Sequence, residues 1–167
     1  MSETNKTGCA VQFLGGFRDG ERAASAALMA AGFPSGQALA WTAAGWAKAA
    51  ANDFIAVAMM GLDDVNIQSP LVEGTQQAGQ TPNVPAAIGT NMVHMEGSKV
   101  NGTLATPFLA TPTGGGGSWT VGDKIYLDGS NLFDNAPVVP TDVAYGEVIE
   151  IVGNATAATA LRVLFRQ

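Results

Sequence analysis

Reactive side chains are scarce in this chain. Of its 167 residues, one is cysteine and one is histidine. A lone Cys9 forms no intrachain disulfide, and no histidine near it in sequence activates it, so it reads as a small residue rather than a nucleophile. One histidine and one cysteine do not close a zinc site. His94 lies between Met92 and Met95 with no Gly-x-Ser-x-Gly motif to serve, and its setting suits a subunit contact better than a catalytic triad. Charge is scarce too: 13% of residues are charged, against about 25% in an ordinary globular domain. A surface so poor in charge is suited to being covered by partners. The eight basic residues are scattered and the formal net charge is −6, which gives no footprint for nucleic acid. The longest apolar run, Ile55 to Met60, is too short to cross a bilayer. Residues 1–12 lack the charged and apolar regions of a secretory signal. The expectation is a soluble protein of a reducing compartment, with no cofactor, no metal, no catalytic residue, and neither nucleic acid nor membrane as partner.

Two stretches invite a ligand and lack what it requires. Gly114-Gly115-Gly116-Gly117-Ser118 is a glycine-rich loop, but a phosphate cradle needs a Lys followed by Ser or Thr opening a helix, and Trp119 follows here. Asp63, Asp64 and Asn66 offer oxygens to a hard cation, but the twelfth position counted from Asp63, where an EF-type loop needs Glu, is Gly74. Asp123, Asp128 and Asp134 read in the same way, as turn and strand-edge carboxylates.

What the chain has in quantity is alanine and glycine. Residues 1–20 are polar and glycine-rich with isolated Val11, Phe13 and Phe17, and read either as an extended arm that docks on a neighbour through those side chains or as a frayed terminus. A short helix is plausible over residues 21–31, where Ala is frequent. Beyond it, Gly36 and Gly45 break the Ala-rich pattern too often for a helix, and Phe33-Pro34-Ser35-Gly36 has turn chemistry. Residues 35–60 therefore read as a strand, a tight turn and two more strands. Residues 62–95 form a long insertion, with one short strand at Val65-Asn66-Ile67-Gln68 and then a loop. Asn91 to Glu96 and Val100 to Leu109 read as strands around a Gly97-Ser98-Lys99 turn. Residues 111–118 and 131–142 read as loops.

The clearest periodicity lies between Trp119 and Arg166. Val121, Ile125 and Leu127 fall on one parity and Lys124, Tyr126 and Asp128 on the other; Leu161, Val163 and Phe165 alternate with Arg162 and Arg166. A period of two marks half-buried strands, and Asp128-Gly129 and Gly153-Asn154 are turn dipeptides that bound them. The expected fold is mainly β: a small antiparallel β-barrel or sandwich with long loops and an extended N-terminal arm. Residues 1–34 form the arm and 35–167 the β-domain. Trp41, Trp46 and Trp119, in or beside predicted strands, suit core packing or interface anchoring better than ligand stacking. With Phe13 and Phe17 they are the candidate interface residues.

The order Val121-Gly122-Asp123-Lys124-Ile125-Tyr126-Leu127, a variable loop, Tyr145-Gly146-Glu147-Val148, a Gly153-Asn154 turn and Leu161-Arg162-Val163-Leu164-Phe165 resembles tailed-phage capsid decoration (cement) proteins of the small β-barrel or tulip type. Ser35-Gly36-Gln37-Ala38-Leu39, Gly45-Trp46-Ala47-Lys48-Ala49 and Ile55-Ala56-Val57-Ala58 look like the opening hairpins of such a protein. The resemblance spans roughly residues 32–60 and 98–167. It implies a structural virion protein, not an enzyme, made in the host cytoplasm and placed on the capsid exterior. Its partners would be the major capsid protein and itself, as a homotrimer or a dimer. Two other readings stay open: another virion β-module (head fibre, tail or baseplate) and a carbohydrate-binding β-module.

Overall fold

A computed structural model of the chain describes residues 9–20, 22–68 and 82–166. The elements in chain order begin with β1 (Ala10–Phe13), β2 (Phe17–Asp19), α1 (Ala26–Ala31), β3 (Ala38–Thr42), β4 (Gly45–Lys48) and β5 (Ala56–Ala58). Then come α2 (Leu62–Gln68), β6 (Ala86–Ile88), β7 (Asn91–Met95), β8 (Ser98–Val100) and β9 (Thr103–Ala105). The chain ends with β10 (Lys124–Leu127), β11 (Phe133–Asp134), β12 (Gly146–Asn154) and β13 (Ala157–Phe165). The fold is mainly β and antiparallel, with only these two short helices among the described residues.

One sheet, ordered β1-β7-β13-β12-β10-β11, curls into a six-strand half-barrel. Its spine is the long hairpin β12–β13, closed at Asn154↔Ala157 and bent where the register shifts between Val148 and Glu150. These are the strands whose alternation is plain in the sequence: Val148, Leu161, Val163 and Phe165 point into the half-barrel. There Phe54 touches three rings, with centroids 4.8 Å from Tyr145, 5.4 Å from Phe165 and 5.7 Å from Phe133.

The second sheet, ordered β2-β6-β5-β3-β4, closes on itself. The chain after β2 reaches β4, where Trp46 N–H donates to the Ala23 carbonyl and Ser25 N–H to the Trp46 carbonyl, both at 2.9 Å. The same segment is bonded on its other side, Ala24 N–H to Pro82 and Val84 N–H to Arg22. Ala24, Leu28, Phe33, Leu39, Trp46, Ala56 and Ala58 fill this small barrel, with Leu62 and Val65 of α2. Residues 22–33 are thus part of the β-domain. Ser25 caps α1 through its hydroxyl, which accepts from Leu28 N–H, and Gly32 ends it at φ 71°.

The alanines separate the two cores. In β3, Ala38 and Ala40 face the half-barrel core while Leu39 faces the closed barrel; in β5, Val57 faces the first while Ala56 and Ala58 face the second. A strand buried on both faces is apolar at every position and shows no period of two. Small side chains let two cores approach one backbone.

Three expectations need correcting. Val65 to Gln68 is not a strand: it belongs to α2, where Leu62 and Val65, three apart, are both buried and Asp63 and Asp64 sit in the first turn. The long insertion also holds β6, an internal strand of the closed barrel; residues 69–81 lie outside the described ones. The turn near residue 98 falls instead at Asn101-Gly102, with φ 50° and 79°, between β8 and β9. Positive φ at both positions is what a type I′ hairpin turn demands, and Asn-Gly meets it. Asp63 accepts both turn amides, at 2.8 and 2.9 Å.

Candidate interaction surface

Residues 10–19 are extended, as expected, yet they are held by their own molecule. β1 pairs with β7 from Ala10↔His94 to Phe13↔Asn91, and β2 pairs with β6 from Phe17↔Ile88 to Asp19↔Ala86. The paired numbers sum to 104 in the first ladder and 105 in the second, so residues 10–19 contain one extra residue at the corner. Leu14 and Gly16 N–H both donate to the Thr90 carbonyl there, which marks a bulge. One bent ribbon therefore crosses from the half-barrel to the closed barrel. Residues 1–8 of the expected arm lie outside the described residues.

This ribbon presents apolar side chains to solvent. Phe13 is 40% exposed, Leu14 50% and Phe17 58%. The backbone beneath them is braced by Asn91, which is buried and whose amide donates to the Ile88 and Gly89 carbonyls. The two phenylalanines are visible in the sequence as isolated apolar residues. Leu14 carries a weaker signal in the sequence, its place beside Gly15-Gly16.

The three tryptophans do not form one surface. Trp46 is wholly buried in the closed barrel and Trp119 in the half-barrel, where its indole N–H donates to the Leu109 carbonyl at 2.9 Å. Their size draws them into the two cores and removes both from the candidate interface. Trp41 is 43% exposed. Trp46 stands against it in an edge arrangement at 5.2 Å, and the Arg22 guanidinium lies 4.8 Å from its centroid, held by Asp19 at 2.9 Å. This is a compact aromatic and cationic knob rather than an open stacking platform.

A second apolar patch lies away from the ribbon in sequence. Val138, Val139 and Val143 are exposed on the loop between β11 and β12. Asp142 orders that loop, accepting from Val138 N–H, Val139 N–H and the Asn52 amide. The Val139 amide first, with Asn52 and Val138, holds its carboxyl below the usual carboxylate range. In sequence the valines are masked by Pro137 and Pro140, which suggest only a loop.

The remaining candidates lie apart from one another. Cys9 is buried and its thiol donates to the Ala58 carbonyl, with burial pushing its pKa up to about 12. His94 faces a shallow groove of about 290 Å³ beside β1, with Glu96 3.9 Å from its Nε2. The glycine loop bends back through positive φ at Gly115, Gly116 and Gly117. Beside it, Asp134 accepts from Thr113 and from Asn135 N–H. Among the described residues no three His, Cys, Asp or Glu side chains gather as a metal site, and no helix is long and apolar enough to cross a membrane. Comparison with known proteins finds no matching family model, no matching curated protein and no matching solved structure.

Proposed function

We propose that this chain is a structural virion protein that binds the outside of a phage capsid and clamps neighbouring major capsid subunits against internal DNA pressure. The observation that carries the reading is the bent ribbon: Phe13, Leu14 and Phe17 stand exposed on a backbone locked into both sheets. Solvent-facing aromatics on a rigid strand lose little conformational freedom on docking, which suits a permanent contact. The resemblance of residues 121–127, 145–148 and 161–165 to cement proteins supports the same reading. Each contact is small, and repetition around a shell supplies avidity. The partners are the major capsid protein and further copies of this chain.

The test is to mix the purified chain with shells that lack it and read co-sedimentation and stoichiometry against the major shell protein. Occupancy of the same order as the shell protein, lost on Leu14→Ser with Phe17→Ser, is the expected result. A few copies per particle would move the chain to a tail or fibre. No binding would sink the virion reading.

A further inference from the structure

We infer that the outer edge of β1 pairs with β1 of a second copy across a two-fold axis at Gln12. The inference does not rest on the capsid reading. It starts from backbone that has no partner among the described residues. Among those residues β1 is an end strand of its sheet. Leu14 N–H donates to Thr90, which turns the even-numbered residues toward β7, while Cys9 N–H points the other way, to the Met59 carbonyl. Alternation along an antiparallel strand then turns the N–H and C=O groups of Val11 and Phe13 outward.

The other edges of the two larger sheets are occupied or charged among the described residues. β11 is covered by residues 107–109, through Phe133 N–H to Pro107 and Leu109 N–H to Phe133. β4 is met by residues 23–25. β2 carries Arg18 and Asp19. β1 has none of the charges or prolines that keep an edge from pairing.

Charge selects the second copy as occupant. On a two-fold axis each residue at the centre meets itself, so a charge there would meet its like. The chain carries a net −6, yet no residue from Cys9 to Phe17 is charged. Gln12, exposed at the centre, ends in an amide that both donates and accepts and so complements its own copy. The pairing sets Val11 against Phe13 of the second copy, with reciprocal backbone hydrogen bonds, and lays each exposed Phe13 ring over a Val11 that already packs on the core.

The geometry makes its own test. Gln12 and its copy would form a non-hydrogen-bonded pair, with Cα atoms about 4.5 Å apart, within disulfide reach. Phe13 and its copy sit off register. Gln12→Cys is expected to give a disulfide-linked dimer with oxidised glutathione as electron acceptor, and Phe13→Cys much less. Light scattering of the unmodified chain over a concentration series should show a dimer in equilibrium with single chains. Gln12→Lys should weaken it roughly tenfold or more, with an unchanged melting temperature showing that the fold is intact. A single-chain or trimer mass at every concentration, equal crosslinking at both positions, or a dimer indifferent to Gln12→Lys would each overturn the inference.

Discussion

Gly16 lies against Ile88 so closely that a Cβ on the glycine would overlap the isoleucine carbonyl oxygen and the Asn91 amide behind it. The two residues flank the point where the ribbon passes from one sheet to the other. Gly16→Ala must push the strands apart, and overpacking of this kind costs about 1–3 kcal/mol. Urea unfolding should show that loss. Gly15→Ala, whose Cβ would meet only Thr90 at 3.9 Å, should change stability far less. Equal effects would remove the corner from the account.

The alanines between the two cores are predicted to be intolerant of size. Ala56 and Ala38 are fully buried on opposite faces of paired strands. Enlarging either to Leu should destabilise by about 1–3 kcal/mol. Ala44→Leu, at an exposed turn position, should stay within about 0.5 kcal/mol. Thermal melts of the three variants decide this.

Trp41 and Trp46 touch, but they should behave differently. Trp46→Ala empties the closed barrel, a change that costs about 3–5 kcal/mol. Trp41→Ala removes a half-exposed ring and a cation–π contact with Arg22 worth about 0.5–1 kcal/mol. Denaturant curves for both variants should separate clearly. Similar losses would mean that Trp41 supports the barrel end rather than presenting a surface.

Cys9 should resist alkylation in the native protein at pH 8 and react at once in urea. Its folded pKa, near 12 because of burial, lies above the ordinary thiol value of 9.0. The unfolded thiol therefore loses its proton first. The stabilising contribution is complete below pH 9 and fades as pH rises toward 12. Cys9→Ala should flatten that part of the stability profile. Rapid native labelling at pH 8 would contradict the buried geometry.

Asp142 should control the valine loop. Its carboxyl titrates below the usual carboxylate range when folded, so its hold on the loop is present above that range and is lost as pH falls through the folded value. Amide exchange at Val138 and Val139 should accelerate in Asp142→Ala at neutral pH, and in the unmodified chain only in acid. Unchanged protection in the variant would leave the loop's order to Pro137 and Pro140.

The C-terminal strands were legible because each has one buried and one wet face, so burial writes a period of two into residues 124–127 and 161–165. Val121, placed on the same parity as Ile125 and Leu127, instead lies in the turn before β10 and is exposed. The strands at 38–42, 45–48 and 56–58 were legible for a different reason: glycine interrupts the alanine runs too often for a helix. α2 was misread because Val65 to Gln68 mimics alternation over a stretch too short to show its period of three. β6 was missed because Ala86-Ala87-Ile88 is apolar on both faces and looks like nothing in particular.

Local chemistry along the chain was enough to settle the β class, most strand positions and the lack of a recognisable catalytic motif. Periodicity, turn dipeptides and glycine spacing act between near neighbours, and they need no knowledge of distant partners. Only the tertiary structure decided that residues 10–19 bind their own sheets, that Trp46 and Trp119 are core while Trp41 is surface, and that the alanines divide two cores. Those outcomes depend on which distant strand supplies the other half of each hydrogen-bond ladder. They depend too on which face has a second layer against it, and neither is encoded within reach of the residue concerned.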